Sequence, residues 1–191
     1  MSPVIRFALL LLSVAFTTKV IAQDEHKLFW HKDSLLKWSD FKGPTDASSK
    51  FHASTFCEIF SKYNWTVKNN KYIFIFTTGS YLNTSRSWSV KEKQTPELLR
   101  HEQLHFNIAE LFARRYLQLL NKAVYTSTFK TTIDRINQDN LHTLKVMQDL
   151  YDEQTYHSED KYMQAKWEAY IAKLLNSKGL IDAAMLRGPK K

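Results

Sequence analysis

A single cysteine, Cys57, stands in a chain of 191 residues, so no intramolecular disulfide can brace the fold, whatever the redox state of its surroundings. Glycine is scarce as well. The four glycines are too few for a glycine-rich loop that cradles phosphates, which excludes nucleotide chemistry of that kind. There is no internal repeat, no low-complexity tract and no Pro- or Ser-rich linker that would divide the chain. Apolar runs are short: the longest, Phe7 to Phe16, is broken by Thr17, Thr18 and Lys19, well below the roughly 20 residues of a membrane span. Lys and Arg outnumber Asp and Glu by 27 to 19, giving a net charge of +8, yet the cations are scattered. Without a basic block, the expectation is a solvated surface and no nucleic-acid partner.

Met1 to Ala22 has the order of an export signal: a polar start with Arg6, an apolar stretch, and Val20-Ile21-Ala22 as a cleavage site. This predicts a signal peptide over 1–22, export to a periplasm or beyond, and a mature chain without stable membrane insertion. The remainder, 23–191, has the length of one domain with one core. Cys57 lies in an apolar, strand-like run and reads as a small buried hydrophobe.

Phe51 to Phe60 partly alternates, Lys71 to Phe76 is β-branched and aromatic, and Asn69-Asn70 between them is turn chemistry. An antiparallel hairpin follows, extended by a strand near Trp65 and by an edge strand within Tyr81 to Val90. At Thr95-Pro96-Glu97 the pattern changes to helix, with a cap, a first-position proline and an acid in the first turn. That helix is predicted to reach about Leu120. Its core stripe is Leu98, His101, His105, Ile108, Ala109, Phe112, Tyr116 and Leu119, with Gln103, Asn107, Glu110, Arg114 and Gln118 opposite. Further helices are expected over Phe129 to Leu150 and, behind a Ser158 cap, over Glu159 to Leu175. Strands followed by three helices make the fold class α+β.

On the first helix, His101-Glu102-Gln103-Leu104-His105 is an H-E-x-x-H motif. Two imidazoles four residues apart stand one turn above each other and can share a zinc ion, and the glutamate between them can act as general base toward water. Core histidines are the plain alternative, but unpaired polar rings amid Leu98, Ile108 and Phe112 would be costly, and metal coordination removes that cost. A catalytic zinc normally has three protein ligands. Glu110 points to the wrong side of the helix, so the third is sought in the polar joint of Asp152, Glu153, His157, Glu159 and Asp160. His157 is preferred, as an imidazole at a helix start, with Glu153 second. Tyr151 and Tyr156 are possible oxyanion donors and otherwise packing residues. His26, His31, His52 and His142 have no partner at ligand spacing, and Trp38, Trp88 and Trp167 read as core aromatics.

With these residues in view, the chain resembles a family of bacterial secreted proteins, long described as a domain of unknown function and grouped with zinc-dependent proteases. The resemblance rests on Leu36-x-Trp38-x-Asp40-Phe41-x-Gly43, on Leu98 to Phe106 followed by Ala109-Glu110, and on Tyr151-Asp152-x-x-Thr155-x-His157 with Gln164-x-x-Trp167. It implies a zincin-like fold, metal at His101 and His105, Glu102 as catalytic base and His157 completing the site. The family pattern has glycine after that last histidine, where Ser158 stands here. The expected function is an exported, zinc-dependent metallopeptidase acting on a peptide or protein. The alternatives are an amidase acting on cell-wall peptides and a non-catalytic envelope binding protein whose metal is structural or lost.

Overall fold

The computed structural model describes residues 25–177, 179, 181–182 and 186–189; the expected signal peptide, 1–22, lies outside them. Antiparallel strands come first and three helices follow, an α+β fold as the sequence predicts. The strands are β1 (Lys27–Phe29), β2 (Ala53–Ser54), β3 (Cys57–Lys68), β4 (Lys71–Asn83) and β5 (Trp88–Ser89). The helices are α1 (Pro96–Lys122), α2 (Phe129–Thr155) and α3 (Lys161–Asn176).

β3 and β4 form one long hairpin in continuous register from Cys57↔Leu82 to Lys68↔Lys71. Asn69 and Asn70 turn it with φ of 51° and 59°, the paired left-handed residues of a tight hairpin turn, which asparagine tolerates. Trp65 belongs to β3 itself and not to an additional strand, because alternation from Cys57 through Ile59, Tyr63 and Trp65 to Val67 keeps one face toward the helices. β1 pairs with the other edge of β4, and β2 and β5 make a separate two-stranded ladder. Of the predicted edge strand, Tyr81 to Asn83 are the end of β4 and only Trp88–Ser89 is β5. Gly43 is held against this region: a Cβ there would lie 2.9 Å from the carbonyl oxygens of Ser85 and Ser87, so the close approach requires glycine.

α1 begins as predicted, with the Thr95 hydroxyl accepting from Leu98 N at 3.1 Å and Pro96 in the first turn. Such a cap stabilises a helix by about 1 kcal/mol. Its buried surface is wider than one stripe, because Glu102, Leu104, Phe106, Leu111, Ala113 and Leu120 are buried too. The helix runs through the middle of the molecule, against the sheet on one side and α2 and α3 on the other. Even its polar face is half-buried: Gln103 accepts from Leu36 N, Asn107 accepts from Trp30 Nε1, and Gln118 binds the backbone at Gly179 and Ile181. Trp167 and Ile171 of α3 are fully buried against Leu111, Phe112 and Met147, forming the core between the helices. A second cluster, with Phe76, Tyr116, Leu120 and Phe129, lies under the hairpin.

α2 continues to Thr155, past the predicted end at Leu150. The inward stripe does not stop there: Met147, Tyr151 and Thr155 are buried, and the stripe merely changes from apolar to polar residues. The helix ends on Tyr156, His157 and Ser158, three consecutive residues with φ of 47°, 51° and 84°. The amides of Tyr156 and His157 turn back onto Asp152 and Glu153 carbonyls. Asp160, not Ser158, caps α3, its side chain accepting from Met163 N at 2.9 Å. Among the described residues no helix is long and apolar enough to cross a membrane.

Candidate metal centre

α1 and the last turns of α2 meet beside β2 along a cleft of about 800 Å³. At its floor, His101 Nε2 and His105 Nε2 stand 3.2 Å apart, and Asp152 Oδ1 lies 3.0 Å from each. His101 is buried, His105 nearly so, and Asp152 is partly open to the cleft. Among the described residues these three form the group of histidine, cysteine or carboxylate donors that converges closely enough to hold a metal ion.

The outer nitrogens determine what the inner ones can do. Gln148 Nε2 donates to the His105 carbonyl at 3.0 Å, which fixes the amide so that Oε1 faces His105 Nδ1 at 2.6 Å. Gln164 Nε2 donates to the Glu168 carboxylate at 3.0 Å, and its Oε1 accepts from the Tyr151 hydroxyl at 2.7 Å and faces His101 Nδ1 at 3.2 Å. Since an amide oxygen only accepts, both Nδ1 atoms carry the proton in the neutral rings, and both Nε2 lone pairs point at the same place. Two lone pairs and a carboxylate oxygen within 3.2 Å repel one another unless a positive charge sits among them. Without metal, protons must supply that charge. Burial alone would lower the pKa of His105, but the hydrogen bond and charge of Asp152, helped by Glu102 and Gln148, raise it to about 9. Burial likewise would raise Asp152, and hydrogen bonds from His101 and His105 override it, holding the carboxyl well below the usual carboxylate range.

The donor set fits zinc. Two imidazole nitrogens and one carboxylate oxygen are common zinc ligands, and a tetrahedral shell with bonds of about 2.0–2.1 Å has edges of ~3.3 Å, close to the separations here. The amide partners orient both rings as partners of metal-binding histidines do.

Glu102, one residue after His101, is buried and lines the same cleft, with Oε2 accepting from the Thr55 hydroxyl at 2.6 Å. Cys57, half-buried, is also on the cleft wall, and burial followed by the charges of Glu102 and Glu58 pushes its thiol pKa up, so it is protonated and inert at neutral pH.

His157 stands beside the triangle of donors rather than in it. Its Nδ1 is 3.6 Å from Asp152 Oδ1, its side chain is 45% exposed, and its ring packs 4.6 Å from Phe51 across the cleft mouth. Tyr156 and Glu159 also line the mouth, whereas Glu153 is exposed and Asp160 is engaged as a helix cap. Tyr151 is fully buried, donating to Gln164 and to the His101 carbonyl at 3.2 Å, so it braces the histidine and does not face the cleft. Glu110 points away, to Ser80 and Arg114, as its helical position predicts. His52, which has no partner at ligand spacing in the sequence, is exposed and lies on the cleft wall.

Asp152 was one of several acids in the polar joint; what singles it out is its place one turn beyond Gln148 on an unbroken helix. The spacing Gln148-x-x-Tyr151-Asp152-x-x-Thr155 continues the stripe of Leu144 and Met147, and that periodicity was the available signal. No curated protein and no solved structure matches the chain significantly. Residues 79–158, a stretch holding His101, Glu102, His105, Gln148, Asp152 and His157, match the model of a family described as "Bacterial protein of unknown function (DUF922)".

Proposed function

We propose that this chain is an exported zinc-dependent hydrolase, a zincin-like metallopeptidase, with His101, His105 and Asp152 as metal ligands and Glu102 as general base. The observation that carries the reading is the convergence of two tautomer-fixed imidazole lone pairs and one carboxylate oxygen beside a buried glutamate in an open cleft. Zinc bound there would act as a Lewis acid, polarising a carbonyl and acidifying a water molecule.

Everything else falls to the chain's own groups. Glu102, oriented by the Thr55 hydroxyl at 2.6 Å, takes a proton from water as the water oxygen bonds to the peptide carbonyl carbon. It then delivers that proton to the amide nitrogen as the C–N bond breaks, leaving a carboxylic acid and an amine. Gln148 and Gln164 keep both imidazoles in the binding tautomer throughout. His157, at the mouth and next to Asp152, is placed to meet the substrate side of the site. A peptide bond is the favoured substrate because the cleft is open and partly apolar, with Leu98, Leu141 and Leu144 in its lining. The expected signal peptide would deliver the enzyme to the periplasm or beyond.

The test is Glu102→Ala assayed on unfolded polypeptide and on cell-wall fragments, with metal content measured in parallel. The variant is expected to keep its metal and lose hydrolysis. Polypeptide cleavage surviving the substitution would remove Glu102 from its role, and turnover of cell-wall fragments alone would move the substrate to another amide.

A further inference from the structure

The distal half of the β3–β4 hairpin is an arm whose inner face rests on Phe129 of α2 while its outer face is open to solvent. Every residue from Lys62 to Lys71 is exposed, on both faces. Exposed apolar side chains are concentrated on it: Trp65 at 49%, Val67 at 49%, Ile73 at 45% and Ile75 at 73%. The register puts Lys62, Asn64, Thr66 and Lys68 of β3 opposite Thr77, Ile75, Ile73 and Lys71 of β4 on the outer face. The inner face carries Tyr63, Trp65 and Val67, and Trp65 meets α2 through Phe129 with ring centroids 5.2 Å apart. The sequence from Ile59 to Lys91 contains no aspartate or glutamate, so the cations of the arm have no acid within its distal half to balance them. Among the described residues, Lys62, Lys68 and Lys71 take part in no ion pair.

We infer that this arm docks the protein on an anionic lipid bilayer. Exposed aliphatics interleaved with lysines on one open face, free of acids, match a surface that is apolar beneath a negative headgroup layer. A polyanion such as nucleic acid would satisfy the lysines and leave Ile73 and Ile75 in water. The inference is independent of the hydrolase reading, since it uses none of the cleft residues, and it calls for attachment at the surface and not for a span.

The experiment is co-sedimentation of the chain from Gln23 onward, which keeps every described residue, with vesicles of phosphatidylcholine alone or mixed with phosphatidylglycerol. Binding is expected to the mixed vesicles, to fall with added salt, and to weaken about fivefold for each of Lys62→Gln, Lys68→Gln and Lys71→Gln. Ile73→Ser combined with Ile75→Ser is expected to weaken it by about tenfold or more. The lysine variants leave every apolar contact in place, so they decide the matter even if the serine variant folds poorly. Equal sedimentation with both kinds of vesicle, or lysine variants that bind like the parent, would overturn the inference. So would duplex DNA held through the same lysines and indifferent to the serine changes.

Discussion

Gln148 is not among the donors that converge on the site, yet the geometry predicts for it a measurable share of metal affinity. Its Oε1 accepts from His105 Nδ1 at 2.6 Å and its Nε2 donates to the same residue's carbonyl at 3.0 Å. Gln148→Leu removes both contacts at similar volume. The Nδ1–H then loses its acceptor and the imidazole is free to turn or change tautomer. Loss of such a partner typically lowers metal affinity by 10- to 100-fold, or about 1.4–2.8 kcal/mol. The buried donor left unsatisfied costs the metal-free fold a further ~1–3 kcal/mol. Gln148→Glu keeps the acceptor and adds negative charge, so metal affinity is expected to hold or rise. The assay is competition with a chromophoric zinc chelator at fixed pH, beside thermal melts in excess chelator. Gln148→Leu binding zinc as tightly as the parent would show that the tautomer argument has no energetic content.

Two further outcomes follow from the same region. Ser158 has φ of 84°, a conformation that favours glycine, and Ser158→Gly is expected to stabilise the protein by about 0.5–1 kcal/mol, visible as a rise of roughly 1–4 °C in Tm; an unchanged or lower Tm would refute the strain argument. In the metal-free protein, the raised pKa of His105 contributes stability that is complete below about 6.5 and is lost as pH rises through about 9. The depressed Asp152 contributes stability above its ordinary 3.8 that is lost as pH falls. Chelated protein should therefore be most stable between about pH 4 and 6.5 and lose on the order of 3 kcal/mol by pH 9. Metal uptake displaces the His105 proton, so zinc affinity should rise over the same interval. Stability of chelated protein that climbs from pH 6.5 to 9 in urea melts would contradict the assignment.

The parts legible in the sequence were those carried by local chemistry. Thr95-Pro96 marks the start of α1 whatever lies around it, Asn69-Asn70 closes the hairpin, and the four-residue spacing of His101 and His105 puts both rings on one side of a helix. Less legible was what depended on tertiary surroundings. α1 is buried nearly all round because it lies between two layers, so a single apolar stripe understates its core. The last turns of α2 carry Gln148, Asp152 and Thr155, polar residues that resemble a loop until their partners across the cleft are known. Asp152 stood among several acids in 152–160 for that reason, and His157, preferred as an imidazole at a helix start, sits on a backbone turn that presents it at the cleft mouth.

Metal stoichiometry of the purified chain, measured side by side with Asp152→Ala and His157→Ala, tests the central claim most directly. The account predicts about one zinc per molecule in the parent, as one three-donor site requires. It also predicts retention in His157→Ala and loss in Asp152→Ala. A parent chain that binds no divalent metal, or zinc that survives loss of Asp152 and disappears with His157, would contradict it.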